Sequence, residues 1–66
     1  MNIVFNGQPR LVSPNTTVAG LLAELKLSTK HVAVEINQDI VPRERHPVLM
    51  LRDGDQVEVV TLVGGG

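Results

Sequence analysis

The chain has no cysteine, no tryptophan and no tyrosine, and its single aromatic residue is Phe5. Without cysteine there is no disulfide, no thiolate metal site and no thiol nucleophile. The two histidines, His31 and His46, stand 15 positions apart with no ligand-like cluster beside either, which argues against zinc. Charge is sparse and balanced: six Lys and Arg face seven Asp and Glu, for a net charge of −1. No basic stripe is available for nucleic-acid phosphates, and no aromatic platform for stacked bases. No apolar run approaches the roughly 18 residues of a membrane span, and no charged-then-apolar leader opens the chain. A cytoplasmic protein with neither nucleic acid nor membrane as partner is expected.

What is plentiful is aliphatic: 42% of the 66 residues are apolar, nearly all Val, Leu, Ile and Ala. A chain this short sits near the lower limit for a self-supporting core, so one domain, residues 1–66, is expected. The opening NIVFN alternates, with Met1, Ile3 and Phe5 on one face and Asn2, Val4 and Asn6 on the other. Asn6-Gly7 is a strong hairpin signal because both residues tolerate positive φ. It predicts a second strand over roughly Pro9 to Ser13, with Pro9 at a strand start or sheet edge. The period then changes. Val18, Leu21, Leu22 and Leu25 fall at i, i+3, i+4 and i+7, a helical stripe with Thr17 as N-cap. Gly20 lies inside that helix and is expected to let it approach the sheet closely. Leu27 is expected at its end or in contact just beyond.

VAVEIN returns to period 2, burying Val32, Val34 and Ile36. A turn at 37–39 leads to a short strand at Ile40-Val41 that Pro42 ends. The irregular RERHPVLML is expected to close the core through Val48, Leu49 and Leu51. Within it, the run Arg43-Glu44-Arg45-His46 reads as a solvated charged loop. Asp53-Gly54-Asp55 reads as a turn, its two carboxylates shaping the backbone rather than forming an acid pair. His31 reads as a surface residue ahead of a strand. The last strand, Gln56 to Val63, turns Val57 and Val59 inward and Glu58, Val60 and Leu62 outward. The order is ββαββ with a short extra strand: an α+β chain in which one helix covers one face of a mixed four- to five-stranded sheet. Val4, Ala33, Val60 and Leu62 then gather on the uncovered face, where a cluster of apolar side chains suggests docking.

The chain ends in Gly64-Gly65-Gly66, with no helix after them, so they are not a phosphate-cradling loop. Three such residues reach about 10 Å when extended and carry nothing that would block a narrow channel.

Several segments together resemble the ThiS-type sulfur carriers of thiamine thiazole biosynthesis. They are IVFNGQ, TTVAGLL, AVEINQDIVPRE, DGDQVEVV and the terminal Gly65-Gly66, in that order along the whole chain. The resemblance implies a ubiquitin-like β-grasp fold with residues 64–66 as a flexible tail. It implies a protein co-substrate rather than an enzyme, with no cofactor of its own. A ThiF-type adenylyltransferase would use ATP to adenylate the Gly66 carboxylate. Sulfur from a desulfurase system would displace AMP, and a ThiG-type thiazole synthase would take it from the thiocarboxylate. Gly66 is then the reacting residue, with Gly64, Gly65, Val60 and Leu62 in contact with the partner. The free protein is expected to be a monomer. A molybdopterin synthase small subunit has the same terminal chemistry, and a ubiquitin-like modifier or plain β-grasp adaptor would share the fold.

Overall fold

The computed structural model describes residues 1–62. Five strands form one mixed sheet in the order β2-β1-β5-β3-β4. They are β1 (Asn2–Phe5), β2 (Gln8–Leu11), β3 (Val32–Ile36), β4 (Asp39–Val41) and β5 (Gln56–Thr61), with one helix, α1 (Val18–Glu24), between β2 and β3. The last strand in sequence is thus the central one in space. It runs parallel to β1 and antiparallel to β3. Among the described residues no helix is long and apolar enough to cross a membrane.

Both hairpins turn on two residues with positive φ. Asn6 (48°) and Gly7 (80°) join β1 to β2, and Asn37 (52°) and Gln38 (74°) join β3 to β4. This is the geometry whose twist suits adjacent antiparallel strands. The second turn is therefore 37–38, and Asp39 already belongs to β4. β2 spans Gln8–Leu11, earlier than the expected 9–13, because the two-residue turn brings Gln8 opposite Phe5 and starts the ladder there. β2 is an edge strand, so Pro9 has no ladder bond to lose on its outer side. β5 ends at Thr61, with Leu62 beyond it; Val63, the expected end of that strand, lies outside the described residues.

The core lies between α1 and one sheet face. Ile3, Val18, Leu21, Leu22, Val34 and Val57 are its most deeply buried members, joined by Val12, Val32, Val41, Leu51 and Val59. Each fully buried aliphatic side chain contributes about 1.5–3 kcal/mol relative to exposure. Leu25, Leu27 and Leu49 pack at the margin.

The helix is closed at both ends. Thr17 Oγ1 accepts from the Gly20 N–H at 3.0 Å, while the Leu49 and His46 carbonyls accept from the Val18 and Ala19 N–H groups at 3.0 and 2.8 Å. Three otherwise orphaned donors are thus satisfied, two of them by the loop after β4. At the other end Lys26 takes φ 59°, its N–H donates to the Ala23 carbonyl, and the Leu27 N–H donates to the Leu22 carbonyl. That pair of bonds is a Schellman closure, with Leu22 and Leu27 both against the core.

Three expectations are corrected. Gly20 does not admit the sheet: a Cβ there would meet Thr17 Oγ1 at 3.4 Å and Thr16 Cγ2 at 3.5 Å, its own N-terminal turn. Val48 is 62% exposed and takes no part in the core; Leu51 does, because its N–H bonds the Thr16 carbonyl and so draws it inward. His46 is not solvated with its charged neighbours but is 2% exposed. The 3₁₀ turn Arg43–Arg45 rotates it beneath the helix start. There Nε2 faces the Val41 carbonyl at 3.3 Å, and Nδ1 meets the Thr29 hydroxyl. A carbonyl only accepts, so Nε2 carries a hydrogen and donates to Val41, while Nδ1 is bonded to the Thr29 hydroxyl.

Candidate functional site

The site begins at the C-terminal end of β5. Alternation along the strand turns Val57 and Val59 into the core and Glu58 and Val60 to the opposite face. Val60 is 58% and Leu62 48% exposed, so both sequence-identified contact residues stand open to a partner. Register places Ala33 beside Val60 and Glu35 beside Glu58. Together with Ile40 these residues border a shallow depression on the uncovered face. Val4 lies on the same face two strands from Ala33, with 36% exposure. Apolar side chains at this density beside the chain's end form a surface suited to a protein partner.

β5 is held firmly along its length. On the β3 side the residue just past its end is still bonded: the Leu62 N–H donates to the His31 carbonyl at 2.8 Å. His31 ends a 3₁₀ turn, with its side chain on the surface as expected, and its backbone is the part that matters here. On the β1 side the Val4 N–H donates to the Asp55 carbonyl and the Asn6 N–H to the Val57 carbonyl, both at 2.9 Å. Two side-chain carboxamides extend these ladders, and neither is evident from sequence pattern. Asn37 Oδ1 accepts from the Gln56 N–H at 3.0 Å and its Nδ2 donates to Asp55 Oδ1 at 3.1 Å. Asn6 Oδ1 accepts from the Val59 N–H at 2.8 Å and its Nδ2 donates to the Val59 carbonyl at 3.1 Å. The only sequence signal was that both hairpin turns open on asparagine.

The Asp53-Gly54-Asp55 segment sits at the start of β5 as a turn, with Gly54 at φ 87°. Asp53 Oδ1 accepts from the Asn2 N–H and Asp55 Oδ2 from the Arg52 N–H, each at 2.7 Å. Both carboxylates are occupied with backbone donors, as expected of turn residues rather than a catalytic pair. A wider groove bordered by Ile36, Asp39, Leu49, Met50 and Arg52 lies at this same end. The six residues of β5 put it about 20 Å from Leu62. Gly64, Gly65 and Gly66, the expected tail and reacting residue, lie outside the described residues.

Comparison with known proteins identifies what this arrangement is similar to. The model of the ThiS family matches residues 3–66. The sulfur carrier protein ThiS of Escherichia coli K12 is 38% identical over 66 residues, covering all of both chains. The thiazole synthase of Paramagnetospirillum magneticum is 42% identical over all 66 residues, and that of Magnetococcus marinus 41%. This chain spans only 20% of the length of each synthase. The crystal structure of the thiamine biosynthesis protein ThiS from Geobacter metallireducens superposes with a TM-score of 0.85 at 36% identity, covering all of both chains.

Proposed function

The chain belongs to the ThiS family, and from that premise we propose that it is a sulfur carrier whose Gly66 carboxylate is the atom-bearing end. Its fold is the β-grasp arrangement of that family, a mixed five-stranded sheet over one helix. The observation that carries the reading is the end-to-end match to the Escherichia coli sulfur carrier, with neither chain left over.

The chemistry follows from the terminal group. An α-carboxyl group has a pKa near 3.3–3.7, so at neutral pH it is a carboxylate and a poor electrophile. Transfer of AMP from ATP, with loss of pyrophosphate, converts it to an acyl adenylate with a good leaving group. A sulfide-level nucleophile then attacks the carbonyl carbon, the carbon–oxygen bond to AMP breaks, and a thiocarboxylate remains. Its sulfur is nucleophilic and is handed to an electrophilic carbon held by the acceptor enzyme. The chain has no cysteine, so its own side chains offer no place for a persulfide. The ATP belongs to a ThiF-type activating partner, and the sulfur to a desulfurase system.

A ThiG-type thiazole synthase is the acceptor in this reading. Support comes from two thiazole synthases that each contain a segment similar to the whole of this chain. Val60 and Leu62 dock the partner while Gly64 and Gly65, lacking side chains, thread its channel. The carrier itself acts as co-substrate, in the cytoplasm, and is monomeric between encounters.

The test is an intact-mass measurement on protein purified from its host, followed by activation in vitro. A terminal sulfur in place of one oxygen is expected on Gly66. A variant with one residue added after Gly66 is expected to fold normally and accept neither AMP nor sulfur. Wild-type rates of AMP and sulfur transfer to that extended variant would refute the proposal.

A further inference from the structure

We propose that Asn6 is a positioning residue for the terminal chemistry, its carboxamide setting the direction in which β5 delivers the residues beyond it to a partner. This rests on the carrier reading above. The β1 ladder to β5 makes its last backbone bond from the Asn6 N–H to the Val57 carbonyl. If the parallel ladder continued, the Asn6 carbonyl would accept from the Val59 N–H, and the N–H two residues further along β1 would donate to the Val59 carbonyl. Instead the chain turns away at Asn6-Gly7 toward β2. The Asn6 carboxamide takes the place of both missing backbone groups, accepting from the Val59 N–H and donating to the Val59 carbonyl. A primary carboxamide carries an acceptor oxygen and an N–H donor on the same side, so one side chain meets both polar groups of Val59.

The consequence is directional. Past Val57, β5 would otherwise be held only by β3, through pairs such as Ala33 with Val60 and the Leu62–His31 bond. A strand bonded on one side has more angular freedom than one bonded on both. The clamp at Val59 stands next to Val60 and three positions before Leu62, so freedom there is passed to the two exposed side chains proposed to meet the partner. The turn alone does not demand asparagine, because glycine meets a positive φ of 48° without strain. Asn37 supplies a matched control. It opens the other hairpin at φ 52° and also bonds β5, but at Gln56, the far end of the strand.

The experiment compares Asn6→Gly with Asn37→Gly in full-length carrier. The first readout is ATP–pyrophosphate exchange with the activating enzyme at varied carrier concentration; the second is amide hydrogen exchange at Val59. Loss of the clamp lowers the fraction of molecules whose end is aligned for entry. Asn6→Gly is therefore expected to raise KM for the carrier about tenfold while kcat at saturation changes little. The Val59 amide is expected to lose protection. Asn37→Gly is expected to cost as much melting temperature yet leave KM and Val59 protection unchanged. An unchanged KM in Asn6→Gly, or an equal rise in Asn37→Gly, would overturn the positioning role. Unchanged Val59 exchange in Asn6→Gly would overturn the clamp itself. Absence of exchange activity with the wild-type chain would instead strike the carrier reading on which both depend.

Discussion

At the scale of single residues, two positions are less well suited to their backbone than they could be, and a third is indispensable. Gly20 lies mid-helix, where glycine costs about 0.8–1 kcal/mol relative to alanine, and a Cβ there meets only side-chain atoms at ordinary contact distance. Gly20→Ala is expected to stabilise the protein by about 0.5–1 kcal/mol, read as a rise in melting temperature. Lys26 occupies the left-handed position after the helix, where a Cβ is unfavourable. Lys26→Gly is expected to stabilise by up to about 1 kcal/mol in urea denaturation. His46 is the opposite case. It fills a buried site, satisfies the Val41 carbonyl and the Thr29 hydroxyl, and lends its own carbonyl to the Ala19 N–H. His46→Ala is expected to cost about 2–4 kcal/mol, because it leaves a cavity and strips partners from buried polar groups. A surface-loop residue would cost far less, and urea midpoints distinguish the two. Sequence reading placed His46 in solvent because its three preceding neighbours are charged. A 3₁₀ turn that separates one residue from the run has no period to betray it.

At the scale of elements, the alternating strands and the helical stripe were legible because burial on one face imposes a period of 2 or 3.6. Val32, Val34, Val57, Val59, Leu21 and Leu22 are buried as their spacing indicates. The segment after β4 was not legible, because its work is done by backbone groups. Its carbonyls at His46 and Leu49 cap α1, and its Leu51 N–H bonds Thr16, none of which depends on side-chain type. The uncovered sheet face has a different character. Glu35 and Glu58 stand directly opposite each other, and like charges in that relation are unfavourable. Glu58→Lys converts the pair to opposite charges and is expected to stabilise the sheet by about 0.5 kcal/mol. The gain should shrink when thermal melts are repeated in high salt, since the pair is at the surface.

For the molecule as a whole, the topology puts the last described strand in the middle of the sheet, with neighbours on both sides and side-chain clamps at Gln56 and Val59. A strand so placed is stiffly held, and the apolar face beside it is the one we propose for docking. Leu62→Lys and Val60→Lys are expected to change melting temperature little, because both side chains are about half exposed or more. The same variants are expected to raise KM for the carrier with the activating enzyme and the synthase. A carrier that kept wild-type KM with both partners despite the two lysines would overturn the proposed docking role of this face.

The sequence by itself determined the secondary elements, the aliphatic core and the family, because these depend on periodicity, turn chemistry and motif order, all of which are local or linear. Only the tertiary structure decided that β5 is central, that Asn6 and Asn37 splice their carboxamides into its ladders, and that His46 is interior. Those facts arise from contacts between residues far apart in the chain, 53 positions in the case of Asn6 and Val59. Linear spacing along one strand carries no trace of which backbone its neighbour will present.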